Sequence, residues 1–262
     1  MNDPEGVTPA EPTVPDQQPT PEIPPIVPRE ILYAEFGFTQ PIIEVVANDP
    51  KAVVDVNKIN TSLPRDHYAE ANPNETLADT REWLEETTSP FEANNFTEES
   101  IVIAAKPSRE EGITKYIYYY PSEEKLPKAL KQKYQGKAVL DVSYVTAEPD
   151  KNQDAEETAK IYEQSSMLLI ERSLNRSSEN LTGRLSPDEV TNADQKLVFL
   201  AAVQSKGEEK SHTALQLAGF KKSHTYLYKE DSKEYTVYSL SPANLVSKFD
   251  RRQSASTPPS TT

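Results

Sequence analysis

Two tyrosine-rich stretches set the reading of the fold: Lys115-Tyr116-Ile117-Tyr118-Tyr119-Tyr120-Pro121 and Lys233-Glu234-Tyr235-Thr236-Val237-Tyr238-Ser239-Leu240-Ser241-Pro242. Aromatic and β-branched residues suit a pleated, half-buried surface, so both stretches read as strands. Each closes a hairpin. Ile101-Val102-Ile103-Ala104-Ala105 precedes the first across the turn sequence of residues 107–112, and His224 to Lys229 precedes the second around Glu230-Asp231-Ser232-Lys233. A helix precedes each hairpin. One starts after Asp79, with Glu82 three residues on as an acidic capping pair, and the other covers Thr213 to Leu217. Asn95 before Phe96 and Gly219 before Phe220 are residues that tolerate the left-handed conformation at a helix end. The expectation is an α+β fold built as a tandem pair of helix–β-hairpin modules.

Working outward, nine of the 22 prolines fall within residues 1–28, which hold five acids and no Lys or Arg. Fixed φ angles and missing N–H groups oppose regular structure there. Residues 1–28 therefore read as a disordered acidic arm, 29–150 as the first α+β module, 151–250 as the second, and 251–262 as a disordered tail. Within the second module, Asp154 with Glu157 starts a helix whose inward stripe runs Ala155, Ala159, Tyr162, Ser166 and Leu169. Ser186-Pro187-Asp188-Glu189 starts another, while residues 197–203 suit either a helix or a strand.

A net charge of −14 opposes general nucleic-acid binding, because a phosphate backbone is bound chiefly by neutralising Lys and Arg. No run of apolar residues is long enough to span a bilayer. The absence of Cys removes thiol nucleophiles and Cys-based metal sites but leaves an extracytoplasmic and a cytoplasmic location equally open. The seven glycines are too dispersed for a phosphate-cradling loop, so no cofactor is expected.

Asp150, Asn152 and Asp154 place oxygen donors on alternate residues, as a calcium loop begins. Ala155 and Ile161 then stand where such a loop needs its turn glycine and its last acid, so the three are weak calcium candidates and Asp154 reads equally as a helix cap. His67, His212 and His224 have no nucleophile-elbow context, and no catalytic residue is assigned. Alternation puts Ile117 and Tyr119 on the face opposite Tyr116, Tyr118 and Tyr120. Tyr116, Tyr118, Tyr120, Tyr226 and Tyr228 are accordingly the candidate interaction residues.

The proline-rich segment ending Pro24-Pro25-Ile26-Val27-Pro28, followed by small α+β units, resembles periplasm-spanning TonB-type envelope proteins in arrangement only; no residue role follows from that likeness. The function expected is a non-enzymatic binding, adaptor or scaffold protein with a protein partner, the cell envelope being one setting. The alternative is a hydrolase whose His and carboxylate groups come from distant parts of the chain.

Overall fold

The computed structural model describes residues 29–62, 73–89, 91, 96, 100–105, 112–122, 126–146, 152–227 and 232–256. The expected disordered arm, residues 1–28, lies outside them. Eight strands form one sheet: β1 (Glu30–Ile31), β2 (Ile42–Glu44), β3 (Ile101–Ala105), β4 (Lys115–Pro121), β5 (Ala138–Thr146), β6 (Leu197–Gln204), β7 (Lys221–Leu227) and β8 (Glu234–Leu240). Their order is β1-β2-β3-β4-β5-β6-β8-β7. Every neighbouring pair is antiparallel except β5–β6. Seven helices flank the sheet among the described residues: α1 (Pro50–Ser62), α2 (Leu77–Glu85), α3 (Lys128–Lys133), α4 (Ala155–Ser173), α5 (Pro187–Lys196), α6 (Glu209–Ala218) and α7 (Pro242–Ser256). No helix among those residues is long and apolar enough to cross a membrane.

This single mixed sheet corrects the tandem-module expectation. Both hairpins form, β3–β4 with Ile101 opposite Tyr119 and β7–β8 with Tyr226 opposite Tyr235. Yet β5 and β6 separate them within one continuous ladder. The helices before the hairpins also differ. α6 stops at Gly219 with φ +99°, followed by buried Phe220, whereas α2 ends at Glu85 with a right-handed cap at Glu86, well before Asn95. The start of α2 is displaced as well: Thr76 is the cap and Asp79 its reciprocal partner, because the Thr76 hydroxyl accepts from the Asp79 amide. The division at residue 150 falls between β5 and α4, inside one strand–helix–strand crossover, and α7 continues through Ser256.

Strand pleating sorts the core into two faces. Ile101, Ile103, Ile117, Tyr119, Leu140, Val142, Phe199, Tyr238 and Leu240 meet residues of α4, α6 and α7 on one side. On the other, α1 and α2 cover Val102, Ala104, Tyr116 and Val145, and α3 covers Val139, Val198, Leu200 and Val237. The expected stripe of α4 is buried, but so is nearly all of the helix from Ile161 to Glu171, since α6, α7 and α5 enclose it.

Two carboxylates are thereby carried into the interior. Glu163 takes ion pairs from Lys248 and Arg252 of α7. Glu171 accepts from the Tyr33 hydroxyl at 2.6 Å, from Arg176 at 3.0 Å, and from the Thr182 and Gly183 amides at 2.9 Å each. A buried charge without such partners costs several kcal/mol. Phe249 of α7 sits beside these contacts, with the rings of Phe36, Phe38 and Tyr33 at 4.7, 5.5 and 5.9 Å.

Two outcomes follow from this packing. Phe249→Ala, which empties a fully buried ring site, should lower unfolding free energy by about 3–5 kcal/mol in urea titrations. An unchanged midpoint would contradict the packing described. The second concerns acid. Arg176 and the Ser186 amide hold the Glu189 carboxyl down at about 2 from an ordinary 4.5. The stabilisation from that ionised carboxylate is complete above the unfolded value and is lost as pH falls through the folded one. Glu189→Gln should therefore lessen the decline in melting temperature between those two values and leave the neutral-pH baseline lower.

Candidate functional site

β5 and β6 pair in parallel only from Ala138 opposite Leu197 to Asp141 opposite Leu200. Beyond that point β5 continues to Thr146 bonded to β4, and β6 continues to Gln204 bonded to β8. Each strand keeps its antiparallel neighbour, so the two carboxyl ends part. Ala202, on a strand inside the sheet, is exposed, and β5 pairs with β6 only as far as Leu200. A crevice at the carboxyl ends of parallel strands, where the pairing direction changes, is the usual ligand position in open α/β sheets.

One wall is aromatic. Tyr120 stands opposite Asp141 and Tyr118 opposite Ser143 in the β4–β5 register. Tyr118 and Tyr120 stack at 5.3 Å, and Trp83 of α2 meets Tyr118 edge-on at 5.5 Å. Burial, then the nearby Asp141 carboxylate, raises the Tyr120 phenol well above its ordinary range, with Tyr118 and Tyr226 adding smaller contributions. Tyr120 therefore stays a neutral hydroxyl. Tyr226 in turn stacks on Tyr235 at 6.0 Å.

The opposite sheet face carries a hydrogen-bonded histidine–tyrosine pair. His212 of α6 has Nδ1 at 2.9 Å from the Tyr238 hydroxyl and Nε2 at 3.0 Å from the Gln204 carbonyl oxygen. A carbonyl only accepts, so Nε2 carries the hydrogen and Nδ1 accepts the Tyr238 proton; the tautomer is inferred from this network. Gln204 closes β6, and Tyr238 pairs across from Ala201, so the dyad lies along the part of β6 that β5 has left.

Of the five tyrosines singled out in the sequence, Tyr118, Tyr120 and Tyr226 come together. Tyr116 is instead buried under α1, donating to Asn60 Oδ1 at 2.7 Å, and Tyr228 lies outside the described residues. Among the calcium candidates, Asp150 is outside them too. Asp154 Oδ1 accepts from the Glu156 and Glu157 amides as a helix cap, and no cluster of three metal-ligating side chains occurs among the described residues. His67 also lies outside them, and both ring nitrogens of His212 have partners other than carboxylates. Asp141, Ser143, Ala202 and the His212–Tyr238 pair escaped the sequence reading. The available signal was the alternating run Ala138–Thr146 ahead of a capped helix and an apolar run, a strand–helix–strand order.

No known family's sequence pattern matches the chain, and no curated protein matches it in sequence. Solved structures resemble it in shape. An acetyltransferase of the GNAT family from Streptococcus pneumoniae aligns with 76% of this chain and 97% of its own at 13% identity and a TM-score of 0.45. A spermidine N-acetyltransferase chimera of Vibrio cholerae SpeG and hSSAT aligns over 78% and 98% at 8% identity and 0.46. The aminoglycoside acetyltransferase AAC(6')-Ib, bound to ribostamycin and coenzyme A, aligns over 80% and 95% at 14% identity and 0.48. All three are described as acetyltransferases, which runs against the expectation of a non-enzymatic adaptor or scaffold with a protein partner.

The tautomer assignment has a direct check. Nitrogen-15 spectra at pH 8 should report His212 protonated at Nε2 with Nδ1 as acceptor, and Tyr238→Phe should shift the Nδ1 resonance while the fold persists. A protonated Nδ1 would contradict the dyad.

Proposed function

We propose that the chain is an enzyme acting on a small amine-bearing molecule, held where β5 and β6 part, and that acyl transfer from a thioester to the amine nitrogen, with the thiol as leaving group, is its reaction class. The observation that carries this reading is the exposed Ala202 on an interior strand, with the tyrosine wall on one sheet face and the His212–Tyr238 pair on the other. The rims of β4 and β5 suit a cation. Tyrosine faces attract ammonium groups, and the Asp141 carboxylate lies next to the Tyr120 hydroxyl. Forming a bond from nitrogen requires that the ammonium first give up a proton. Acylation of amines, named with the similar structures, is the chemistry to assay first. Coenzyme A, named with AAC(6')-Ib, would meet a capped and acid-rich helix start at α4.

Isothermal titration with spermidine and with ribostamycin tests the reading. Saturable binding of either is expected, weakened at least tenfold by Ala202→Trp, which fills the gap, and several-fold by Tyr120→Ala. Binding that ignores both substitutions would place the ligand elsewhere.

A further inference from the structure

We infer that this crevice rejects donors carrying a nucleoside diphosphate, coenzyme A included, because the helix end that faces it is already capped and is negatively charged. The inference rests on the crevice reading above. After a parallel strand, the following helix presents its first amides and positive dipole end to the crevice, and that is where a diphosphate gains most of its hold. Here the helix is α4, which follows β5.

Its first amides are taken. Asp154 Oδ1 accepts from Glu156 N at 2.9 Å and Glu157 N at 3.2 Å, and the Thr158 amide bonds the Asp154 carbonyl at 3.0 Å. Three carboxylates, Asp154, Glu156 and Glu157, crowd this turn. The cation at hand is Lys115, which starts β4 at the same end of the sheet, and it is committed to Glu157 at 2.7 Å with a buried side chain. The neighbouring helix α6, which follows β6, begins Glu208-Glu209, with the Glu208 carboxylate 3.4 Å from Ser211 Oγ, although Lys206 and Lys210 offset its charge. A diphosphate approaching the first turn of α4 meets like charge, and the Glu156, Glu157 and Thr158 amides are already bonded, whereas an ammonium is drawn in.

Equilibrium dialysis of the full chain with acetyl-CoA and with S-acetylpantetheine, which lacks the diphosphate, decides the matter. The unaltered chain should not saturate with acetyl-CoA up to ~1 mM. The double variant Asp154→Ser, Glu156→Gln keeps a capping oxygen and the Lys115–Glu157 pair while removing two charges. It should bind acetyl-CoA at least tenfold more tightly, in a salt-sensitive manner, with S-acetylpantetheine binding unchanged. Micromolar affinity of the unaltered chain for acetyl-CoA would overturn the inference, and so would a folded double variant that gains nothing. Spermidine titration of the same samples separates this from the crevice reading: an unaltered chain that takes no amine, with a variant that gains acetyl-CoA, would sink the amine assignment and leave the exclusion standing.

Discussion

The four-residue parallel contact between Ala138–Asp141 and Leu197–Leu200 governs the arrangement of everything around it. It joins an antiparallel block of β1 to β5 with a second block of β6, β8 and β7, so one hydrophobic core spans both. Because parallel strands need a crossover, α4 must pass over one sheet face. Because each strand is also bound to an antiparallel neighbour, the contact ends early and the crevice opens.

The crossover helix then imposes its own demands. Enclosure by α5, α6 and α7 buries Glu163 and Glu171, and their partners come from both ends of the described chain as well as from Arg176 just beyond α4. Tyr33 reaches Glu171 from the segment after β1, while Lys248 and Arg252 reach Glu163 from α7. Phe249 packs between, against Tyr33, Phe36 and Phe38. Gly183 belongs to the same junction: its φ is +71°, and a Cβ there would come within 2.9 Å of Phe36 Cε2. The rigid side of the crevice is thus held by polar contacts that an apolar helix would not need.

On the crevice itself, charge and aromatic surface act together. Tyrosine faces, Asp141 and the acid-rich start of α4 favour a positively charged ligand, and the same acids oppose a phosphorylated one. A tyrosine kept neutral by burial and by a neighbouring carboxylate remains a hydrogen-bond donor across the physiological range. The His212 ring is fixed on the other sheet face by the Tyr238 hydroxyl and the Gln204 carbonyl.

Local patterns were legible without coordinates. The β3–β4 and β7–β8 hairpins, the Gly219 stop, the Asp154 and Ser186 caps and the alternation of Ile117 and Tyr119 against Tyr116, Tyr118 and Tyr120 depend on neighbours within a few residues, where backbone preference and strand periodicity act. The repeat did not survive, since similar hairpins recur wherever Tyr-rich strands meet polar turns, and their order in a sheet is set by partners far along the chain. Leu197–Gln204 stayed ambiguous because its first five residues are buried on both faces, which erases the polar side that marks a strand, whereas Ala138–Thr146 went unassigned although its alternation was there to read. The sequence by itself determined which segments are hairpins and caps, that the chain is acidic, and that a calcium loop and a glycine-rich phosphate loop are missing. Tertiary structure alone decided that two strands run parallel and then part, because that outcome depends on which distant backbone groups find each other, and no local pattern of residues encodes the pairing.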